Sequence, residues 1–547
     1  MFKLYIREPY RLFEGAGIAA FLLIAALLVA FNPSAGQSRV EPAAPDASVD
    51  AYAIAMPNQG WAPLTVYFSA FGSASPSGRI ARYEWDLDGN GRYDTDATAQ
   101  GGYASYRYAK PGEYAVTLRV TDDRGRTATD RVTLTVRHPA SSPVDYWTVF
   151  DDNRVRRIDI ALTNADWQQM WVDPPSKTQV PANAIVFGER LENVGFRMRG
   201  QFSLRESGEK KPWKVDTDAY VEGQEYHNLR QLMLINNIGD PTMLREKLAY
   251  DMMHFAGVPA SHACFVEMWI DFTDDDQEPI LWGVYTMIER VDKKFIASRF
   301  GQEVKASNLY KANHALRGPM DLIYHGPSIE NYPTQGGLYA YGKATNEEAA
   351  DYSDILGLIY AIDGVQYATP DEFAAAVEPL LNVDGFLRYM AVVAALGNWD
   401  IYPYTGNNYY LFNNDGRFEW IPWDLAWGDN PQQSLFERGG AGLVERAPLY
   451  DNVFQVERYR TRFAGYLDLL ARQWFTGENV STLAARYHAM IAPYVTQSTG
   501  DKAFFGPTAM FPIDAFNASW LRLGEFAGQR NQFIRATLAE TYGSIIE

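Results

Sequence analysis

The sequence predicts a multidomain chain, a small all-β immunoglobulin-like sandwich followed by a larger α+β region. Three observations predict it. Between residues 51 and 137, short alternating runs such as LTVYFSA (64–70), EYAVTLRV (113–120) and DRVTLTV (130–136) are separated by Gly, Pro and Asp turns. From 146 to 291, strand-like runs enclose a single amphipathic helix. Beyond 291 the helical period dominates. Hydrophobic residues make up 47% and charged residues 21% of 547, so the bulk of the chain folds.

Lys3, Arg7 and Arg11 precede the unbroken apolar run Ala16 to Phe31, so residues 1–31 read as a signal peptide or an uncleaved signal anchor. The run is short against the roughly 20 residues of a spanning helix. Its basic lead-in, in turn, is long for a cleaved signal, and both readings stay open. Ser34, Ala35 and Gly36 supply small residues for a peptidase. Either way the chain is expected to be exported, to a periplasmic, cell-surface or secreted location. It is attached to the inner membrane through residues 16–31 if the run is retained. Residues 32–50, rich in Pro, Ala, Ser and Asp, form a flexible linker, 51–137 the sandwich, and 138–145, containing HPASSP, a second linker.

Residues 146–291 form a β-rich lobe with strands expected near 154–162, 194–199, 213–217, 265–271 and 281–288. Its helix is expected at 241–256, where Leu244, Leu248, Met252 and Phe255 share one face, Asp240 is the N-cap and Gly257 the stop. Residues 292–547 form a helical lobe with a helix at 384–396 and a helical extension from Tyr450. Lys and Arg number 49 against 67 Asp and Glu, a formal charge of −18, which argues against a nucleic-acid partner. One cysteine, Cys264, excludes an intramolecular disulfide framework. Seven His without CxxC or HExxH leave the common zinc signatures unmatched.

Four groups of polar residues point to chemistry. Asp86, Asp88, Asn90 and Asp94 are spaced as oxygen ligands for Ca²⁺, although an Asp-rich turn capping its own backbone is the preferred reading. Arg197 and Arg199 in RMRGQFS, with the lysines of KKPWKVD (210–216), put cations along strands as phosphate binding requires. Asp400, followed by Asn407 and Asn408 before a strand, suits a general base beside a cation ligand. Asp424 in IPWDLAWG, fixed among aromatics at a strand end, suits a divalent metal.

The sandwich resembles the polycystic-kidney-disease (PKD) module through YEWDLDG (83–89), YRYAKPGEY (106–114) and VTLRVTD (116–122). That resemblance implies an extracellular spacer or adhesion unit. Residues 146–430 resemble the CotH family of atypical kinases through RMRGQFS, KKPWKVD, 240–258, 283–289, NLYK (308–311), NNYYLF (407–412) and IPWDLAWG (421–428). The resemblance implies a two-lobed protein-kinase-like fold that moves the γ-phosphoryl of ATP to Ser or Thr of a protein, with Mg²⁺ or Mn²⁺. By it, Asp424 and Asn408 are metal ligands and Asp400 orients or deprotonates the acceptor hydroxyl. Lys211 or Lys214 holds the α/β-phosphates with Glu246 as partner, Arg199 and Ser203 touch the phosphates, and Glu289 lies at the hinge beside adenine. The departures are the lack of a GxGxxG loop and an HRD motif, and a wide separation of Asp400 from Asn408. The competing reading is a non-catalytic surface or envelope scaffold built on the same fold. The acidic balance favours basic Ser-containing acceptors.

Overall fold

Period-two alternation turns one face of each amino-terminal strand inward, and two sheets close on that apolar side. The strands β1 (Ile54–Met56), β2 (Gln59–Trp61), β3 (Leu64–Ser69), β4 (Ile80–Asp86), β5 (Thr95–Asp96), β6 (Ala104–Tyr108), β7 (Gly112–Asp122) and β8 (Thr127–Arg137) pair as β1-β3-β6 and β2-β8-β7-β4-β5. Trp85, fully buried, packs on Phe68 between them at 5.4 Å. The Asp-rich turn is engaged with itself. Asp86 accepts from the backbone N–H groups of Gly89, Asn90 and Gly91 at 2.8–3.1 Å, and Asp88 accepts from Asn90. Turn capping, the preferred reading of this spacing, therefore accounts for Asp86, Asp88 and Asn90, whose Oδ1 accepts from Arg92 N–H at 2.8 Å.

This computed structural model describes residues 48–543 except 140–141, 143, 207, 302, 305–306, 439–443 and 496–510. The described residues group as one compact unit. The apolar run 16–31 lies outside the described residues; among those described, no helix is long and apolar enough to cross a membrane.

Next come α1 (Tyr146–Val149), β9 (Arg156–Leu162), α2 (Asn164–Val172), β10 (Val180–Val186), β11 (Glu189–Met198), α3 (Phe202–Glu206), β12 (Trp213–Asp216), β13 (Gln231–Ile235), α4 (Arg245–Ala256), β14 (Ala263–Phe272) and β15 (Ile280–Ile288). The seven strands close into a barrel in the order β10-β11-β12-β13-β15-β14-β9, antiparallel except where β9 meets β14. Val215, Leu232, Leu234, Val266 and Met268 fill it. Helix α4 starts later than its N-cap signal suggests. Asp240 bonds the N–H of Thr242 and then that of Arg245 at 2.9 Å, so the carboxylate organises a turn ahead of the helix. Gly257 ends α4 in the left-handed conformation, φ 77°.

The remainder comprises α5 (Lys293–Phe300), β16 (Leu309–Lys311), α6 (His314–Arg317), β17 (Thr334–Gln335), β18 (Leu338–Tyr339), β19 (Gly342–Lys343), α7 (Ser353–Ile359), α8 (Pro370–Val377), α9 (Val383–Ala395), α10 (Tyr402–Thr405), β20 (Tyr409–Asn414), β21 (Arg417–Pro422), α11 (Pro448–Val453), α12 (Glu457–Gln473), α13 (Gly477–Val495), α14 (Ile513–Ser519) and α15 (Leu521–Tyr542). Helix α9 is apolar on nearly every side and lies buried in the core. The sheet β19-β16-β20-β21 lies beside it.

The sandwich is no free spacer. Ile54, Met56 and Phe71 belong to the core of the helical region, and a Cβ on Gly465 of α12 would meet Ile54 Cδ1 at 2.0 Å. Gln59 donates to Gly257 O at 2.8 Å, and Tyr103 to Asp468 at 2.7 Å.

At the same junction His254 and His262 stack at 4.5 Å, with Trp61 and Tyr146 against His262. Burial, together with the Arg299 and Lys247 charges, lowers both rings, His254 to about 4 and His262 well below its usual range; Asp251 opposes this at His254. The unfolded rings take protons near pH 6.5 and the folded rings do not, so stability is full above 6.5 and falls on acidification towards 4. His254 alone corresponds to about 3 kcal/mol. His262 Nε2 is buried without a partner, so His262→Phe is expected to hold stability at pH 7 and to shrink the loss between pH 6.5 and 4.5. Urea unfolding at both pH values checks it; an unchanged acid loss in the variant would count against the account.

Candidate functional site

Two backbone links and one side-chain link bring Asp400, Asn408 and Asp424 together. Helix α9 stops at Gly397, φ 63°, and Asn398 then accepts from Asp400 N–H at 3.0 Å. Asn408 donates its Nδ2 to both the backbone oxygen and Oδ2 of Asp400, at 2.9 Å each. The β20–β21 hairpin returns the chain, and Trp423 N–H donates to Asn408 O at 3.1 Å. Gly428 N–H then donates to Leu396 O at 3.0 Å, and a Cβ on Gly428 would meet Gly397 O at 2.0 Å. Only glycine allows that approach, which ties the segment after Asp424 to the end of α9. Asn408 and Asp424 both take left-handed backbone, φ 62° and 52°, where Asn and Asp are better tolerated than bulkier residues.

Both bonds use Nδ2, and among the described residues no hydrogen bond engages Asn408 Oδ1. Asn407 is turned away: its Oδ1 accepts from His314 N–H at 3.1 Å. Asp424 is exposed to solvent yet surrounded by protein, as at the floor of a cleft. Burial and the Asp400 charge push its carboxyl above the usual range, while Arg199 and Lys311 oppose the shift. Glu246, on α4, is pushed well up by burial and by Asp424, with Arg199 opposing. Arg199 therefore lies in the field of both carboxylates. Fully buried Tyr250, one turn along α4, lies in the field of the same two.

The expected lysines are placed otherwise. Lys214 pairs with Asp216 at 2.7 Å, and Lys211 donates to Leu204 O at 2.7 Å with Trp171 near its ammonium. The cation acting on Glu246 is Arg199, two residues beyond Arg197, which stands opposite Lys214 in the β11–β12 register. Glu289, read as a hinge residue, is 1% exposed and locked in an internal network. Arg299 donates to both its oxygens at 2.6 and 2.9 Å, Tyr146 at 2.6 Å and His262 N–H at 3.2 Å. Its carboxylate is taken up by the protein itself. Ser203 sits over Gly200, φ 90°, where a Cβ would meet its Oγ at 2.3 Å.

One cleft residue escaped the sequence reading. Lys311, on β16, lies over the rings of Tyr410 and Trp423 at 5.3 and 5.1 Å and acts on Asp424. Its signal was a lone cation on an otherwise apolar strand, in the NLYK segment. Among the described residues no group of three or more Asp, Glu, His or Cys is placed to hold a metal by itself. A cation at Asp424 and Asn408 thus needs ligand oxygens from elsewhere to complete its shell.

Residues 196–534 match a family model described as CotH kinase protein, and residues 45–136 one described as PKD domain. Invasin CotH3 of Rhizopus delemar is 20% identical over 370 residues, 63% of this chain and 57% of that protein. The match thus spans less than two thirds of that relative's length. The pre-pro-metalloprotease PrtV of Vibrio cholerae is 33% identical over 103 residues, 17% of this chain and 11% of that one. The crystal structure of the PKD1 domain of Vibrio anguillarum Epp is 28% identical, with a TM-score of 0.14, covering 17% of this chain and all of that domain.

Proposed function

The chain belongs to the CotH kinase protein family, and from that premise we propose that it transfers the γ-phosphoryl group of ATP to a Ser or Thr hydroxyl of an exported or surface protein. The observation that carries the reading is the joining of Asp400 to Asn408 by two hydrogen bonds, with Asp424 returned beside them by one hairpin. Asp400 accepts the acceptor's hydroxyl proton as that oxygen bonds to the γ-phosphorus. The bond from the γ-phosphorus to the β–γ bridging oxygen breaks, and ADP leaves. Asp424 and Asn408 Oδ1 supply hard oxygen donors of the kind Mg²⁺ or Mn²⁺ takes alongside nucleotide phosphates. Bound there, the cation would neutralise charge on the β- and γ-oxygens. Arg199 and Lys311 add fixed positive charge on the same side, so little reorganisation is needed during transfer.

Incubating the full chain with γ-labelled ATP, Mg²⁺ or Mn²⁺ and a basic Ser/Thr peptide tests it. Label is expected in the peptide or the chain, with a nucleotide-dependent rise in melting temperature. The absence of both label and a shift would overturn the kinase reading and leave the scaffold role.

A further inference from the structure

Lys177 precedes the segment matched by the CotH family model, which begins at residue 196. We propose that Lys177, together with Arg197, extends the Arg199–Lys311 cleft into a polyphosphate-binding site. The inference rests on the nucleotide reading above and names the side chains that take the phosphate chain.

The local sequence fixes the lysine in place. Asp173-Pro-Pro-Ser176 closes a 3₁₀ turn over Pro174–Ser176, and Lys177 ends it in left-handed backbone, φ 54°, with its N–H on Pro174 O at 3.0 Å. The two prolines preset the turn. The turn packs against α3, the helix that follows Arg199 and Gly200. Arg197 and Arg199, two apart on β11 and its continuation, point to one face. On that face Arg197 meets Lys214 directly across the β11–β12 pairing. Like charges in register are unfavourable. Asp216 answers Lys214, but Lys177, Arg197, Arg199 and Lys311 have no carboxylate within ion-pair distance among the described residues.

In a chain with 67 acidic against 49 basic side chains, four cations, of which Arg197, Arg199 and Lys311 feel Asp216, Asp424 or Glu246 but none pairs directly with them among the described residues, describe a site with room for an anion. Burial and the charges of Arg197, Arg199, Lys311 and Arg205 lower Lys177, which places it in that common field. The same side chains offer a physical answer to the missing Gly-rich loop. Where backbone N–H groups do not cradle a triphosphate, guanidinium and ammonium groups can do so.

Titration calorimetry of the full chain with inorganic tripolyphosphate, free of metal and nucleotide, tests the site apart from catalysis. Lys177→Met, which keeps the aliphatic stem, is expected to weaken binding roughly tenfold, and Arg197→Ala in the same direction. Lys177→Arg should stay within about threefold of the parent, because the charge is retained. Exposed Lys293→Ala is the control for net charge. With ATP, Lys177→Met should raise KM more than it lowers kcat. No tripolyphosphate binding by the parent, or equal affinity in Lys177→Met and Lys293→Ala, overturns the proposal. If label transfer persists in that second case, the kinase reading stands and Lys177 alone is removed from the site. Tripolyphosphate binding that depends on Lys177, without label transfer, keeps the anion site and removes the kinase reading.

Discussion

Asp424→Asn is expected to lower phosphoryl transfer about 10³-fold while leaving the fold intact. The substitution keeps shape and removes the charge that draws a divalent cation. Asn also accepts the left-handed backbone that position 424 adopts, φ 52°. Among the described residues no hydrogen bond to the Asp424 side chain holds the fold together, and burial and Asp400 disfavour its charge. Removing that charge relieves repulsion with Asp400 and Glu246, so the unliganded variant should melt no lower than the parent. Loss of activity with retained stability is the pattern of a residue kept for function against its local energetics. Asp400→Asn should cost about 10²-fold to 10³-fold as well, because the base is lost while an amide oxygen can still accept from Asn408 Nδ2. Label incorporation and calorimetric melting of the three proteins decide it. Transfer within tenfold of the parent in Asp424→Asn would remove this carboxylate from the reaction.

The sequence made part of this site readable. Asp400, Asn408 and Asp424 flank one short hairpin, so local chain geometry alone brings them together. Helix α9 was readable from Phe386, Leu387, Met390 and Val393, which recur at the helical period. The choice of cation was not. Which basic residue faces Glu246 depends on the β11–β12 register, and no residue type announces that Arg197 stands opposite Lys214. Asp216, two residues beyond Lys214, then captures one of the two lysines that the family resemblance suggested.

The internal network of Glu289 was hidden for a related reason. Its partner Arg299 lies ten residues on, across the Asp292-capped helix α5, and only packing shows that the pair is internal. The docking of the sandwich had a legible trace that went unused. Ala53, Ile54, Ala55 and Met56 are apolar without alternation and all fully buried. A strand apolar on both faces requires a second layer, and α12 supplies it.

That docking predicts the second large effect. Arg388→Ala is expected to destabilise the chain by about 3–5 kcal/mol, the usual cost of breaking one half of a buried ion pair. Arg388, 1% exposed, pairs through Nε with Asp384 one turn before it on α9 at 2.7 Å. Its Nη1 donates to Ala55 O on β1 at 2.7 Å and to Ala256 O at 3.2 Å, and its Nη2 to Tyr466 OH on α12 at 3.0 Å. One guanidinium thus joins the sandwich, the end of α4 and two helices of the core. Alanine would leave Asp384 hydrogen-bonded among the described residues to Asn58 and Tyr466, with the Arg462 charge nearby, and would take the Arg388 donors away from two carbonyls. Arg388→Lys, which keeps the charge but cannot reach all four acceptors, should fall between parent and alanine. Because Ala256 and Gly257 close the helix that carries Glu246, the loosening should reach the cleft. Amide exchange along α4 is expected to accelerate in Arg388→Ala beyond the change at β4, a strand remote from the junction. A urea-unfolding cost below about 1 kcal/mol, or exchange that rises equally in both elements, would show that the guanidinium does not couple the sandwich to α4.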